Sequence, residues 1–166
     1  ARAKPVVVVP PLAVDTRPFE RVLVPLDGTR ASSEALQRTI ELACRSHLDV
    51  VALHVAEAGG LAPFGEQPQH ELDAWKEEFL ARYAPQPDAV RLEVRAGRPG
   101  ESVLRVADEA GVDLVALGWA RDLSRGRAAL VREVLERSRV PVLLVAAPVD
   151  PGVRRGRAAS PAGAAN

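Results

Sequence analysis

Five short apolar runs constrain this chain more than any other feature. Arg21–Leu26, Asp49–Ala56, Ala89–Arg95, Val112–Gly118 and Val140–Ala146 are rich in Val and Leu and bounded by Pro, Gly or charge. Their hydrophobicity is continuous rather than alternating, which suits strands covered on both faces. Helical patterns separate them. Leu36, Ile40, Ala43 and Cys44 form the stripe of a first helix starting near Ser32 or Ser33. Leu72, Trp75, Phe79 and Tyr83 form a second stripe, with Pro68 suited to its first turn. Val103, Leu104 and Ala107 mark a third helix introduced by Pro99, and Leu130, Val131, Val134 and Leu135 a fourth. The order βαβαβαβαβ with right-handed crossovers predicts an α/β fold. It is a doubly wound, open, parallel five-stranded sheet with helices on both faces. Ligands of such sheets bind beyond the C-terminal strand ends, where the winding reverses.

The 166 residues suit one domain. Two segments fall outside the pattern. Residues 1–18 contain Lys-Pro-Val-Val-Val-Val-Pro-Pro, an echo of the Val-Pro-Val-Leu-Leu-Val-Ala-Ala-Pro at Val140–Pro148. They read as an N-terminal extension, either the remnant of a repeat or an added edge strand, which would cap the Val140–Ala146 edge or exchange between chains. Residues 148–166 are rich in Ala, Pro, Gly and Arg and read as a loose tail. The domain proper is expected over 19–147.

Composition excludes several classes. Lys and Arg (22) balance Asp and Glu (22), unlike a nucleic-acid binder that relies on bulk positive charge. Cys44 is the only cysteine, so there is neither an internal disulfide nor a Cys-rich zinc site. The apolar runs at Val6–Val9 and Val140–Ala147 are too short to span a bilayer, and no signal peptide is apparent, so a cytoplasmic protein is expected. There is no Gly-x-Gly-x-x-Gly, Walker loop, Gly-x-Ser-x-Gly or His-Glu-x-x-His. Enzymatic turnover has no support, and the chain reads as a non-enzyme.

Two strand ends hold the candidate chemistry. Asp27 follows Val24-Pro25-Leu26 at the tip of the first strand. Its carboxylate would hold magnesium, orient a phosphate, or cap the turn before a helix. Gly118 ends the fourth strand, and a polar loop with Ser124, Gly126 and several Arg leads to a helix N-terminus. That arrangement reads as an anion site or as a solvated loop. His54 reads as a packed, hydrogen-bonded strand residue, His47 and His70 as surface residues, and Cys44 as a buried small hydrophobe. Phe64 with Trp75, Phe79 and Tyr83 would form a lid, but helical spacing favours packing of that stripe on the sheet. Gly59–Gln67 is a gating-loop candidate, and the basic cluster at Val153–Arg157 reads as solvated tail.

Arg21–Leu36, Leu53–Ala56 and Asp113–Ala146 resemble the universal stress protein family. The succession Val-Pro-Leu-Asp-Gly-Thr, Leu-His-Val, Val-Asp-Leu-Val-Ala-Leu-Gly and Val-Pro-Val-Leu-Leu-Val carries the likeness. The resemblance implies strand order 3-2-1-4-5, dimers through the last-strand edge at Val140–Ala146 and, in one branch, ATP binding. That branch carries Gly-x2-Gly-x9-Gly-[Ser/Thr] after the fourth strand. Here Gly118 matches, Arg121 replaces the second glycine, the loop is shorter, and Ala128-Ala129 stand for Gly-Ser. Pro25 and Asp27 match the first-strand end, and Val55 matches the position whose backbone meets adenine. Ser124, Gly126 and Arg127 would then replace the lost phosphate loop.

The expected function is a non-catalytic stress or regulatory module binding ATP or another adenine nucleotide, with magnesium at Asp27. The alternatives are a nucleotide-free dimerisation module and a metal-dependent phosphate-ester hydrolase. Membrane and nucleic-acid partners are not expected.

Overall fold

The structure is a computed structural model that describes residues 4–13, 18–56, 69–84, 86–119 and 127–146. Its elements are β1 (Val6–Val8), β2 (Arg21–Pro25), α1 (Arg30–Arg45), β3 (Asp49–Ala56), α2 (Gln69–Tyr83), β4 (Val90–Ala96), α3 (Pro99–Glu109), β5 (Leu114–Trp119), α4 (Arg127–Arg137) and β6 (Val142–Ala146). One sheet holds them in the order β1-β6-β5-β2-β3-β4. The strands β2 to β6 are parallel and follow the expected order. The sheet has a sixth strand: β1 joins β6 antiparallel, pairing Val6 with Leu144, Val7 with Leu143 and Val8 with Val142. The edge expected to serve a dimer therefore already carries a strand of the same chain.

Alternation along the strands divides the core into two layers. Val22, Val24, Val50 and Ala52 pack with Leu36, Ile40 and Ala43 of α1 and Phe79 of α2. Leu23, Val51, Leu53, Val115 and Leu117 pack with Val103 and Val106 of α3 and Val131 and Val134 of α4. Each fully buried Val or Leu contributes about 1.5–3 kcal/mol, which explains why every central strand is apolar on both faces.

Element ends differ from the apolar runs for local reasons. The helix α1 begins at Arg30, ahead of the expected Ser32 or Ser33, because Thr29 caps it by accepting from the Ser32 N–H at 3.2 Å. The strand β5 begins after Val112, whose N–H still donates to the Ala107 carbonyl at the close of α3. Likewise β6 begins after Val140, which is held in a turn by the Ser138 hydroxyl. The N-terminal ends of β2 and β5 are laced by Asp113 Oδ2, which accepts from the N–H groups of Glu20 (3.0 Å) and Arg21 (2.9 Å).

Candidate functional site

The crossovers through α1 and α2 cover one face, and those through α3 and α4 the other. The winding thus reverses between β2 and β5, and the crevice beyond their C-terminal ends is where the fold takes ligands. The last rung between β2 and β3 is the Leu26 N–H donating to the Leu53 carbonyl at 2.8 Å. The chain then turns through Asp27 and Gly28, whose φ of 74° is a conformation glycine adopts without strain. Asp27 Oδ1 accepts from both the Thr29 N–H (3.0 Å) and the Thr29 hydroxyl (2.7 Å). Asp27 is exposed, and its carboxylate builds the turn.

Pro25 closes β2 opposite Leu53, and Val55 lies two residues further along β3. Strand alternation aims the Val55 N–H and C=O to the same side as those of Leu53, beyond the end of β2. Gly118 is the penultimate residue of β5. A Cβ there would meet Ala35 and Leu36 of α1 at 3.8–4.0 Å, so the room that glycine leaves lies against α1. Arg127, Ala128 and Ala129 form the first turn of α4, which runs back from the C-terminal end of β5. Its N–H groups therefore belong to the same end of the sheet as the Asp27 turn. Ala129 is exposed. Ser124 and Gly126 lie outside the described residues, as do Phe64, Gly59–Gln67 and the tail. Among the described residues, no group of three or more His, Cys, Asp or Glu is placed to hold a metal.

Beside the crevice, Gly28, His54, Trp75, Glu78, Phe79, Arg82 and Tyr83 line a cavity of about 220 Å³. The rings are stacked at a tilt, with His54 to Phe79 at 4.9 Å, Trp75 to Phe79 at 5.1 Å and Phe79 to Tyr83 at 4.8 Å. Packing of this stripe on the sheet, rather than a lid, is what the described residues show. The carbonyl of Tyr83 accepts from the Ser33 hydroxyl at 2.7 Å, tying α2 to α1. Sequence reasoning missed that His54 and Gly28 share this wall. The spacing of Trp75, Phe79 and Tyr83 was the available signal. A wider hollow of about 490 Å³ lies at the opposite end of the sheet, lined by Arg21, Asp49, Asp88 and Arg91 among others. There Arg21 is already paired with Asp49 at 2.7 Å, and the end is the wrong one for ligands of a doubly wound sheet.

The family model described as "Universal stress protein family" matches residues 18–146. The chain belongs to the universal stress protein family. Solved structures agree in fold. A protein of this family from Burkholderia pseudomallei is 26% identical, with 76% of this chain and 96% of that chain covered at a TM-score of 0.51. A universal stress protein in complex with cAMP is 24% identical over 76% and 96% of the two chains, with a TM-score of 0.53. A universal stress protein from Archaeoglobus fulgidus in complex with dAMP is 14% identical over 76% and 98%, with a TM-score of 0.50. No curated protein matches the chain. Among the described residues, no helix of this universal stress protein is long and apolar enough to cross a membrane.

Proposed function

We propose that this universal stress protein is a non-catalytic regulatory module that binds an adenine nucleotide in the crevice between β2 and β5. The observation that carries the reading is the pre-organised turn at the switch point. Asp27 is held by both donors of Thr29, and Val55 presents its backbone past the end of β2. A backbone N–H and C=O side by side match the donor and acceptor edge of adenine. Two structurally similar universal stress proteins hold cAMP and dAMP, which supports an adenine ligand.

The roles extend the family resemblance to these residues. Val55 reads the base, Pro25 and Gly118 flank it, and Asp27 faces the sugar and phosphates. Ser124, Gly126 and Arg127, with the N–H groups of Ala128 and Ala129, take the place of the glycine-rich phosphate loop. Asp27 suits magnesium only as one oxygen ligand, since Thr29 already engages Oδ1. The metal would then arrive with the nucleotide's phosphates and keep several waters.

The test is acid extraction of the purified protein, followed by calorimetric titration with ATP, AMP and cAMP, with and without magnesium. Micromolar binding that Asp27→Ala and Arg127→Ala each weaken by about tenfold (~1.4 kcal/mol) supports the reading. No released nucleotide and no heat at millimolar ATP would refute it. Steady phosphate release lost in Asp27→Ala would instead favour a hydrolase.

A further inference from the structure

The strand β6 would be a sheet edge if β1 were absent. Its run Val142-Leu143-Leu144-Val145 would then expose a row of unpaired N–H and C=O groups on an apolar strand, a template for pairing with another chain. We infer that β1 is a built-in cap that holds this edge closed against a second copy of the chain, and that releasing it lets two β6 strands pair.

The occupant follows from likeness. Pro5-Val6-Val7-Val8-Val9-Pro10 resembles Pro141-Val142-Leu143-Leu144-Val145 in composition and in its leading proline. The edge accepts Val6–Val8 antiparallel, centred on Val7 opposite Leu143. A second β6 offers nearly the same side chains in the same direction. Two β6 strands antiparallel about Leu143 would also satisfy a two-fold axis, the commonest symmetry of homo-oligomers.

The cap is a poor template in its own right. It has three residues, and Pro5 and Pro10 at either end have no N–H to extend the ladder. It is also lightly held. Val6 and Val7 are 50% and 54% exposed, while Val8 reaches the α3–α4 core layer and Pro10 is buried. The turn after it closes with the Ala13 N–H donating to the Pro10 carbonyl at 3.0 Å.

Connectivity allows β1 to reach its own β6. Val8 pairs with Val142 at the start of β6, the end of the sheet where β2 also starts. With β6 and β5 between them, β1 and β2 stand about 14 Å apart at the usual strand spacing. Residues 9–20 extend to about 40 Å, so no exchange between copies is needed. The nucleotide crevice lies at the other end of β2 and β5, so failure of the nucleotide reading leaves this inference untouched.

The experiment is light scattering on the full chain, on a variant lacking residues 1–12, and on Val8→Asp, which places a charge in the α3–α4 layer. The full chain should be a monomer. Both variants should double in mass, and a peptide spanning Lys4–Leu12 added in excess should return the truncated chain to a monomer. Truncated and Val8→Asp chains that stay folded and monomeric would overturn the inference. So would a full-length dimer held by exchanged β1 strands. Should both variants unfold, amide exchange on the full chain decides. Protection of the Val142 and Leu144 amides, which point away from β5, supports the cap, and exchange there as fast as in an open edge refutes it.

Discussion

His54 Nδ1 donates to the carbonyl oxygen of Leu26 across 3.0 Å. A carbonyl only accepts, so the imidazole carries a proton on Nδ1. It fastens the C-terminal part of β3 to the turn that carries Asp27, coupling the aromatic cavity to the proposed nucleotide crevice. His54→Phe preserves ring packing against Phe79 and Trp75 but leaves the part-buried Leu26 carbonyl without this partner. We expect a loss of about 1–3 kcal/mol, read as a lower urea midpoint with unchanged slope. An unchanged midpoint would mean that water replaces the imidazole at no cost.

Thr29 serves two neighbours, capping the Ser32 N–H and donating to Asp27. Thr29→Ala should destabilise the chain by about 0.5–2 kcal/mol, whereas Thr29→Ser, which keeps the hydroxyl, should stay close to the parent. Thermal unfolding of the two variants side by side checks this. Equal losses would show that the methyl group, not the hydroxyl, matters.

Gly100 in the first turn of α3 is buried beneath Glu133 of α4, and a Cβ added there would collide with the Glu133 carboxylate. The carboxylate thus sits against a helix N-terminus, where the backbone N–H groups carry partial positive charge, and pairs with Arg137 at 2.8 Å. Gly100→Ala should cost about 1 kcal/mol, since the displaced group is the end of a flexible side chain. Adding Glu133→Ala should recover part of the loss. Additive effects in the double-mutant cycle would contradict the contact.

Cys44 is half-buried against the α1–α2 layer of the core, and desolvation raises its thiol above the ordinary value. Less thiolate means slower alkylation, so the folded chain should react with iodoacetamide more slowly than the urea-unfolded chain at mildly alkaline pH. The sign for stability follows. The unfolded thiol ionises first, so this contribution is intact below the unfolded pKa and is lost as pH rises through the folded one. Cys44→Ala should flatten that alkaline decline. Equal alkylation rates in the folded and unfolded chains would sink the prediction.

Much of the fold was legible in the residues. Asp49–Ala56 reads as a strand and is one to the residue, because its continuous apolar run is what a strand covered on both faces requires. Leu36, Ile40 and Ala43 of the first helix stripe are buried as their spacing predicts, whereas Cys44, expected to be buried, is half-buried at the edge of that stripe. Misplaced ends trace to side chains that act on nearby backbone. Thr29 draws α1 forward, and Ser138 holds Val140 out of β6. Such hydrogen bonds compete with the regular ladders and leave little trace in hydrophobic periodicity.

The site was legible in outline only. Asp27 falls at the strand tip because the apolar run ends there, but its engagement by Thr29 depends on the backbone turn at Gly28. Gly118 matches a motif glycine, yet its missing Cβ faces α1, a direction set by the pleat of β5.

The sequence by itself determined which segments are the five parallel strands and the four helices, because hydrophobic periodicity is local, and the order of those strands came from the family resemblance. Only the tertiary structure decided that β1 pairs with β6, that His54 reaches Leu26, and that three aromatic residues of α2 share a wall with Gly28. Each joins groups far apart in the chain. Such contacts form only once the sheet has assembled and left a particular edge, carbonyl or hollow still to be covered.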